Sequence, residues 1–160
     1  TWEQFQWINE NRNAIRQLAE EGFEFIVISN QAGISRGMIQ KEELDRIHSK
    51  MKAEFEKDGV NILDIYVCPH HWDEKCACRK PNPGLLLQAS REHFFRLDET
   101  LFIGDDIRDC QAAWNAGCES VFIGEANESN KLPINKRPIF SGSNLQDLVG
   151  LIKDRFPSRQ

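Results

Sequence analysis

Short apolar runs alternate with amphipathic helical segments along this chain, and this alternation constrains its fold more than any other feature. The runs typical of buried strands are 23–28, 62–67, 100–103 and 120–123, with 138–140 as a weaker candidate. Apolar residues recur at helical spacing in 2–21, 41–57, 83–95, 107–116 and 145–156. Strands that alternate with helices form βαβ units, so the pattern predicts one α/β domain with a doubly wound parallel sheet over residues 1–160.

Composition narrows the class of protein further. The 160 residues carry a formal net charge of -5, which argues against broad binding to nucleic acid or to an anionic membrane. The longest apolar runs fall far short of the roughly 20 residues that a membrane helix needs. The first residues are polar and aromatic and do not form a signal peptide. We therefore expect a cytoplasmic protein with no membrane and no nucleic-acid partner, present as a monomer or a weak oligomer.

A cluster of cysteines and histidines between positions 68 and 78 indicates a metal site. The predicted zinc ligands are Cys68, His70, Cys76 and Cys78. A Cys-x-His pair and a Cys-x-Cys pair on either side of a short loop can supply four ligands to tetrahedral zinc, which leaves no open position. Such a zinc is structural, and it would stiffen the loop that leads into Arg79 and Lys80. His71 is an alternative ligand. The alternative without a metal is a set of reduced cysteines beside a surface histidine.

Polar residues follow three of the predicted strands at their carboxyl ends, which is where ligands bind in open parallel sheets. These residues are Ser29 with Asn30, Lys80 after the cysteine loop, and Asp105 with Asp106. A hydroxyl, a lysine and a pair of carboxylates suit a phosphate bound together with Mg²⁺. Each of these residues also has a structural interpretation when it is taken alone. Ser29 would start a loop, Lys80 would be solvated and the two aspartates would cap the next helix. Asp109 either faces solvent one turn into that helix or contacts the metal from outside.

The three clusters, in this order, resemble the haloacid-dehalogenase-like (HAD) phosphatases, and among them the D-glycero-D-manno-heptose 1,7-bisphosphate phosphatases. The similar segments are 28–37, 68–81 and 102–109. The resemblance implies a Rossmann-like HAD fold without a large cap and with a zinc-binding loop. It also implies hydrolysis of a phosphomonoester on a sugar bisphosphate, heptose 1,7-bisphosphate, through an aspartyl-phosphate intermediate with the help of Mg²⁺.

The resemblance assigns roles to individual residues by their position. Contacts to phosphate and substrate fall to Ser29, Asn30, Arg36, Arg79 and Lys80. Catalysis falls to Lys80, which would stabilise the nucleophile and the phosphate, and to Asp105, which would hold Mg²⁺. Asp106 would assist Asp105 at the metal, with Asp109 as the alternative.

The first motif of these phosphatases, Asp-x-Asp-Gly-Thr, has no counterpart among the 160 residues, whose first aspartate is Asp45. That motif supplies the nucleophile at the end of a strand, which in this fold would lie between the strands at 23–28 and 100–103. Without that strand, two parallel strand edges would be unpaired, which a stable fold avoids. We therefore predict that an upstream segment carries the missing first strand and both aspartates, and that this chain alone is inactive.

Other functions fit parts of the same pattern. Histidinol-phosphate phosphatase is the first alternative, because related enzymes carry a similar zinc loop. A polynucleotide 3′-phosphatase has a similar loop after Asn30, but the acidic charge and the zinc cysteines argue against it. A non-catalytic HAD-like phosphate-binding domain is an alternative from another class, and fusion to a sugar nucleotidyltransferase domain is a further possibility. In the preferred interpretation the ligand is a phosphorylated sugar.

Overall fold

The structure is a computed structural model that describes residues 10–30, 40–68 and 75–157. The chain divides into two units, each described by itself. The first contains the described residues up to Cys76, and the second spans Ala77–Pro157. No helix in the described part of the chain is long and apolar enough to cross a membrane.

The first unit is a βαβ unit preceded by a helix. Its elements are α1 (Arg12–Glu20), β1 (Phe25–Asn30), α2 (Lys41–Lys57) and β2 (Ile62–Cys68). The two strands run parallel, with Ser29 opposite Val67 and Asn30 opposite Cys68. Because the strands are parallel, Ser29, Asn30 and Cys68 end at the same carboxyl edge of this sheet.

The helices of the first unit bury the apolar faces that their spacing predicts. Ala14, Ile15 and Leu18 of α1 are buried, and so are Leu44, Met51 and Phe55 of α2. Arg12 ties the start of α1 to the last turn of α2. Its Nη2 donates to the Glu54 carbonyl oxygen at 3.0 Å, and its guanidinium also pairs with the Asp58 carboxylate.

The second unit is a three-stranded parallel sheet with helices between its strands. Its elements are α3 (Gly84–His93), β3 (Leu101–Gly104), α4 (Ile107–Ala116), β4 (Glu119–Ile123), α5 (Ala126–Ser129), β5 (Phe140–Gly142) and α6 (Val149–Arg155). Short 3₁₀ turns cover Leu97–Glu99, Ile134–Lys136 and Gln146–Leu148. The strand order is β3-β4-β5, with Gly104 opposite Phe122 and Ile123 opposite Gly142.

Helix α4 begins and ends at clear signals in the sequence. Asp106 is its N-cap, and a capping box joins it to Asp109 three residues later. The helix ends at Gly117, whose φ of 87° lies in the left-handed region that favours glycine. On its inner face Cys110 packs with Phe122 and Leu132 in a buried cluster, which fixes α4 against the sheet.

The parallel α/β architecture predicted from the sequence is confirmed. The helices at 41–57 and 107–116 have the predicted bounds. Helix α5 lies outside the segments for which the sequence predicts a helix. The predicted helix at 145–156 is instead a 3₁₀ turn followed by the shorter α6. The single domain over residues 1–160 stays a prediction. Within the described residues β1 pairs only with β2 and β3 only with β4, so each has one edge without a strand partner.

Candidate active site

Lys80 and Asp109 form a buried ion pair in the second unit. Lys80 Nζ lies 2.5 Å from Asp109 Oδ1, and the side chains are 17% and 3% exposed. Burial raises the pKa of Asp109 above its ordinary value, while the charge of Lys80 acts in the opposite direction. The interpretation that Asp109 faces solvent is therefore wrong: its carboxylate holds the ammonium group in one place.

Gly104 makes this pair possible because it leaves room for Asp109. A Cβ at position 104 would lie 2.1 Å from Asp109 Oδ2 and 2.4 Å from its Cγ, far inside van der Waals contact. Gly104 is the last residue of β3 and directly precedes Asp105. The Gly-Asp-Asp sequence thus combines a space for Asp109 with carboxylates at the end of a strand.

Asp105 and Asp106 have different surroundings although they are neighbours. Asp106 accepts hydrogen bonds from the Arg108 backbone N at 2.8 Å, from Nε at 3.1 Å and from Nη2 at 2.8 Å. The Arg108 side chain is the main reason that the pKa of Asp106 is lowered. Asp105 is exposed and makes no hydrogen bond within the described part of the chain.

This contrast bears on which carboxylate fits Mg²⁺. Mg²⁺ is usually held by one or two carboxylates and keeps several waters, so the uncommitted Asp105 at the end of β3 fits such an ion. The Asp106 carboxylate would first have to leave Arg108 and its capping position. Its part at the metal stays a prediction.

Backbone hydrogen bonds within residues 77–84 hold the loop that carries Lys80. Gly84 N donates to the Ala77 carbonyl oxygen at 2.9 Å, and Asn82 N donates to the Arg79 carbonyl oxygen at 2.8 Å. A Cβ at Gly84 would lie 2.3 Å from that Ala77 oxygen, so glycine is needed for this approach. The Lys80–Pro81 peptide bond is cis. Arg79 Nη1 is buried and has no hydrogen-bond partner among the described residues.

The other predicted substrate contacts belong to the first unit or to residues that are not described. Ser29 is 4% exposed near the carboxyl end of β1. Asn30 ends the same strand, but its side chain lies outside the described part of the chain, as does the whole of Arg36. The structure therefore brings Lys80 and Asp109 together beside Asp105 and Asp106. The contribution of Ser29 to the same site stays a prediction.

The cysteine loop is partly described. Cys68 is fully buried, and its Sγ lies 3.6 Å from Cys76 Sγ without a disulfide between them. Zn–S bonds of about 2.3 Å at tetrahedral angles place two sulfur ligands roughly 3.8 Å apart, so this pair fits one edge of a zinc site. A thiol hydrogen bond fits the same distance. Cys78 follows two residues after Cys76, while His70 and His71 lie outside the described residues. The zinc site stays a prediction.

Two contacts of the loop that carries Lys80 were not anticipated from the sequence. One is the Lys80–Asp109 pair, for which the only signal is that Asp109 falls on the face of α4 that also carries Cys110 and Ala113. The other is a hydrogen bond of 2.9 Å from Asn115 Nδ2 to the Pro81 carbonyl oxygen. Neither partner pair is close in sequence, so spacing gives no sign of them.

Comparison with known proteins gives the family. The family model described as "Polynucleotide kinase 3 phosphatase" matches residues 1–133. The chain belongs to this family of phosphatases, and its fold is the HAD-like α/β fold.

Relatives with curated names are more specific than the family. The D-glycero-beta-D-manno-heptose-1,7-bisphosphate 7-phosphatase of Yersinia pestis is 40% identical over 116 residues, which cover 68% of this chain and 62% of that protein. The D-glycero-alpha-D-manno-heptose-1,7-bisphosphate 7-phosphatase of Mycobacterium bovis is 33% identical over 135 residues, 79% of this chain and 70% of the relative. The predicted resemblance to the HAD phosphatases and their heptose bisphosphate branch is confirmed.

A solved structure agrees with these relatives. It is the D,D-heptose 1.7-bisphosphate phosphatase of B. bronchiseptica, complexed with magnesium and phosphate. The match has a TM-score of 0.77 and 30% sequence identity, and it covers 89% of this chain and 81% of the other.

Proposed function

We propose that the protein hydrolyses a phosphomonoester of heptose 1,7-bisphosphate with the help of Mg²⁺. The observation that carries this proposal is the partly buried Lys80–Asp109 pair, whose carboxylate is close enough to Asp105 to feel its charge. Relatives named as heptose bisphosphate phosphatases support the substrate. The relative solved with magnesium and phosphate supports the metal.

In this proposal Lys80 binds and orients the reacting phosphoryl group. An ammonium group has three donors, and the bond to Asp109 occupies one of them, so two remain for phosphate oxygens. Asp109 keeps Lys80 from adopting other rotamers, which places the charge before substrate arrives. Arg79 would meet a further oxygen of the substrate, which would pair its buried Nη1. Mg²⁺, held by Asp105, would neutralise negative charge on the transferring group.

The proposal includes the source of the nucleophile. An aspartyl-phosphate intermediate needs a carboxylate nucleophile, and no Asp-x-Asp occurs among the 160 residues. We propose that both aspartates of the first motif lie on an upstream segment. Among the described residues β1 and β3 each have one edge without a strand partner, which supports this idea, because a strand carrying the motif would have a parallel strand to pair with.

The remaining features support a cytoplasmic enzyme with a structural zinc. None of the five cysteines is in a disulfide, which fits a reducing compartment. The 3.6 Å separation of Cys68 Sγ and Cys76 Sγ supports a closed zinc site completed by Cys78 and His70. The zinc would stiffen the segment that leads into Arg79 and Lys80.

The family description keeps polynucleotide 3′-phosphate as a second candidate substrate. The net charge of -5 argues against it, since phosphate backbones are bound mainly through clustered cations. Histidinol phosphate is a third candidate, and a non-catalytic phosphate-binding domain is the alternative without chemistry.

Phosphate release tests the proposal directly. The protein, expressed from its natural start, is assayed with Mg²⁺ on both anomers of heptose 1,7-bisphosphate, on histidinol phosphate and on a 3′-phosphorylated oligonucleotide. We expect turnover of a heptose bisphosphate that falls at least about 100-fold in Lys80→Ala and in Asp105→Asn. Lys131→Ala, which removes an exposed lysine paired only with Glu128, is the matched control and should keep full activity. A folded wild-type protein without turnover on any of these substrates would overturn the enzymatic function.

A further inference from the structure

We propose that Asn115 is a positioning residue that fixes the backbone end of Lys80 and so sets where its ammonium group lies. Asn115 Nδ2 donates to the carbonyl oxygen of Pro81, the residue directly after Lys80, at 2.9 Å. The importance of this contact for catalysis rests on the proposed function, whereas its effect on Lys80 does not.

Helix α4 holds Lys80 at both ends. Its first turn carries Asp109, which binds Nζ, and its last turn carries Asn115, which binds the backbone beside Lys80. Six residues separate the two positions, which corresponds to about 9 Å along the helix axis. The four-carbon stem of a lysine spans roughly 6 Å. A lysine anchored near the end of α4 therefore has to extend back toward its start to reach Asp109.

Two backbone hydrogen bonds hold the loop to itself and not to the helix. Asn82 N bonds to Arg79 O and Gly84 N bonds to Ala77 O, and both are bonds within residues 77–84. Among the described residues, Asn115 provides the side-chain hydrogen bond from α4 to this backbone. Without it the loop keeps its own turn and the packing of α3 on α4, but the backbone beside Lys80 loses its hydrogen bond to the helix.

The expected effect is moderate, because Asn115 is exposed and water can replace its amide. The net value of one hydrogen bond corresponds to about a 3- to 10-fold change in the equilibrium between the anchored and the detached loop. Since Lys80 is proposed to orient the reacting phosphoryl group, loss of the anchored loop should appear mainly in kcat and only weakly in KM, and kcat should fall by a smaller factor than the equilibrium.

Two readouts test the proposal in the full-length protein. The first is the rate at which an amine-acetylating reagent labels Lys80, measured by mass spectrometry, which requires no enzymatic activity. The second is kcat and KM on the heptose bisphosphate. In Asn115→Ala we expect labelling of Lys80 to rise by up to about 3- to 10-fold, and kcat to fall by a smaller factor, because labelling follows the detached loop whereas kcat follows the anchored one. Asn115→Asp keeps the shape but loses the donor, so it should behave like Asn115→Ala. Asn135→Ala, at another exposed asparagine of the second unit, should change neither readout.

The outcomes separate this proposal from the proposed function. If Lys80 is labelled faster in Asn115→Ala than in the wild type, and the wild type has no phosphatase activity, the positioning role is supported and the enzymatic function is rejected. Wild-type labelling and wild-type kcat in a folded Asn115 variant would overturn the positioning role while the phosphatase stands. If Asn115→Ala does not fold, the near-isosteric Asn115→Asp decides the question with the same two readouts.

Discussion

Gly104 lies at the closest approach in the candidate site, and replacing it should damage the site directly. A methyl group in Gly104→Ala would overlap the carboxylate of Asp109, which is buried and bound to Lys80. Asp109 would have to turn away, which breaks the ion pair and the hydrogen bond from Asp106 N. We expect a loss of about 1–3 kcal/mol in the free energy of unfolding and a large loss of activity. Chemical denaturation and phosphate release measure the two effects.

Gly150→Ala is the matched control for this substitution. Gly150 lies inside α6, and a Cβ there meets nothing within 4 Å, so alanine should stabilise the helix by about 0.5–1 kcal/mol. Gly104→Ala with wild-type stability and wild-type activity would show that Asp109 is free to move. The role given to the Lys80–Asp109 pair would then be wrong.

At the level of elements, the contact between α1 and α2 predicts a dependence on pH. The hydrogen bond from Arg12 is the main reason that the pKa of Asp58 is lowered below 3.8. A carboxylate whose pKa is lowered by folding stabilises the protein above its unfolded pKa, and this contribution is lost as the pH falls through the lowered value. Asp58→Asn should therefore lower the urea midpoint at pH 7, and the difference from the wild type should shrink as the pH falls below about 4.

Urea denaturation between pH 7 and pH 3 checks this expectation. Asp154→Asn removes an exposed carboxylate of α6 that has no ion pair among the described residues, so it should leave the midpoint unchanged. A difference between Asp58→Asn and the wild type that stays constant over this range would show that the Arg12–Asp58 pair does not stabilise the first unit.

The bounds of the helices show which elements can be predicted from the sequence. The bounds of α2 agree with its apolar spacing, and those of α4 agree both with its spacing and with Gly117, which closes it. Helix α5 has only four residues, which is too short to show a helical period, so its segment was assigned to a loop. The segment from Leu145 to Phe156 kept its apolar spacing, but spacing alone does not distinguish the 3₁₀ turn at Gln146–Leu148 from the helix after it.

At the level of the whole molecule, the roles of the candidate site residues were predicted by the resemblance to the HAD phosphatases and not by the periodicity of apolar residues. Position along the strands placed Ser29, Lys80 and Asp105 at carboxyl ends, since the end of a parallel strand can be located from its apolar run. The partners of Lys80 could not be predicted in this way. Asp109 and Asn115 meet the Lys80 loop only after α3, β3 and α4 have folded back along the chain, and that is tertiary structure.

The zinc prediction also concerns the whole molecule, because the segment 68–78 links β2 to the loop that carries Lys80. We expect one zinc per chain by elemental analysis, and its removal by a chelator should lower the thermal midpoint by about 5–10 °C. Cys76→Ser should lose the metal. Cys118→Ala is the matched control, because burial raises the pKa of the Cys118 thiol to about 12 and so disfavours the thiolate that zinc requires. It should keep a full complement of zinc.

The mechanism behind this prediction can be separated from a general loss of stability. If zinc stiffens the loop at its base, chelation should also speed the acetylation of Lys80, whereas lysines such as Lys131 on distant turns should react as before. A zinc-free protein that is folded, has an unchanged thermal midpoint and labels at the wild-type rate at Lys80 would reject the site. The 3.6 Å contact of Cys68 and Cys76 would then be a thiol hydrogen bond, and the loop would owe its shape to its own backbone hydrogen bonds and to its contacts with Asp109 and Asn115.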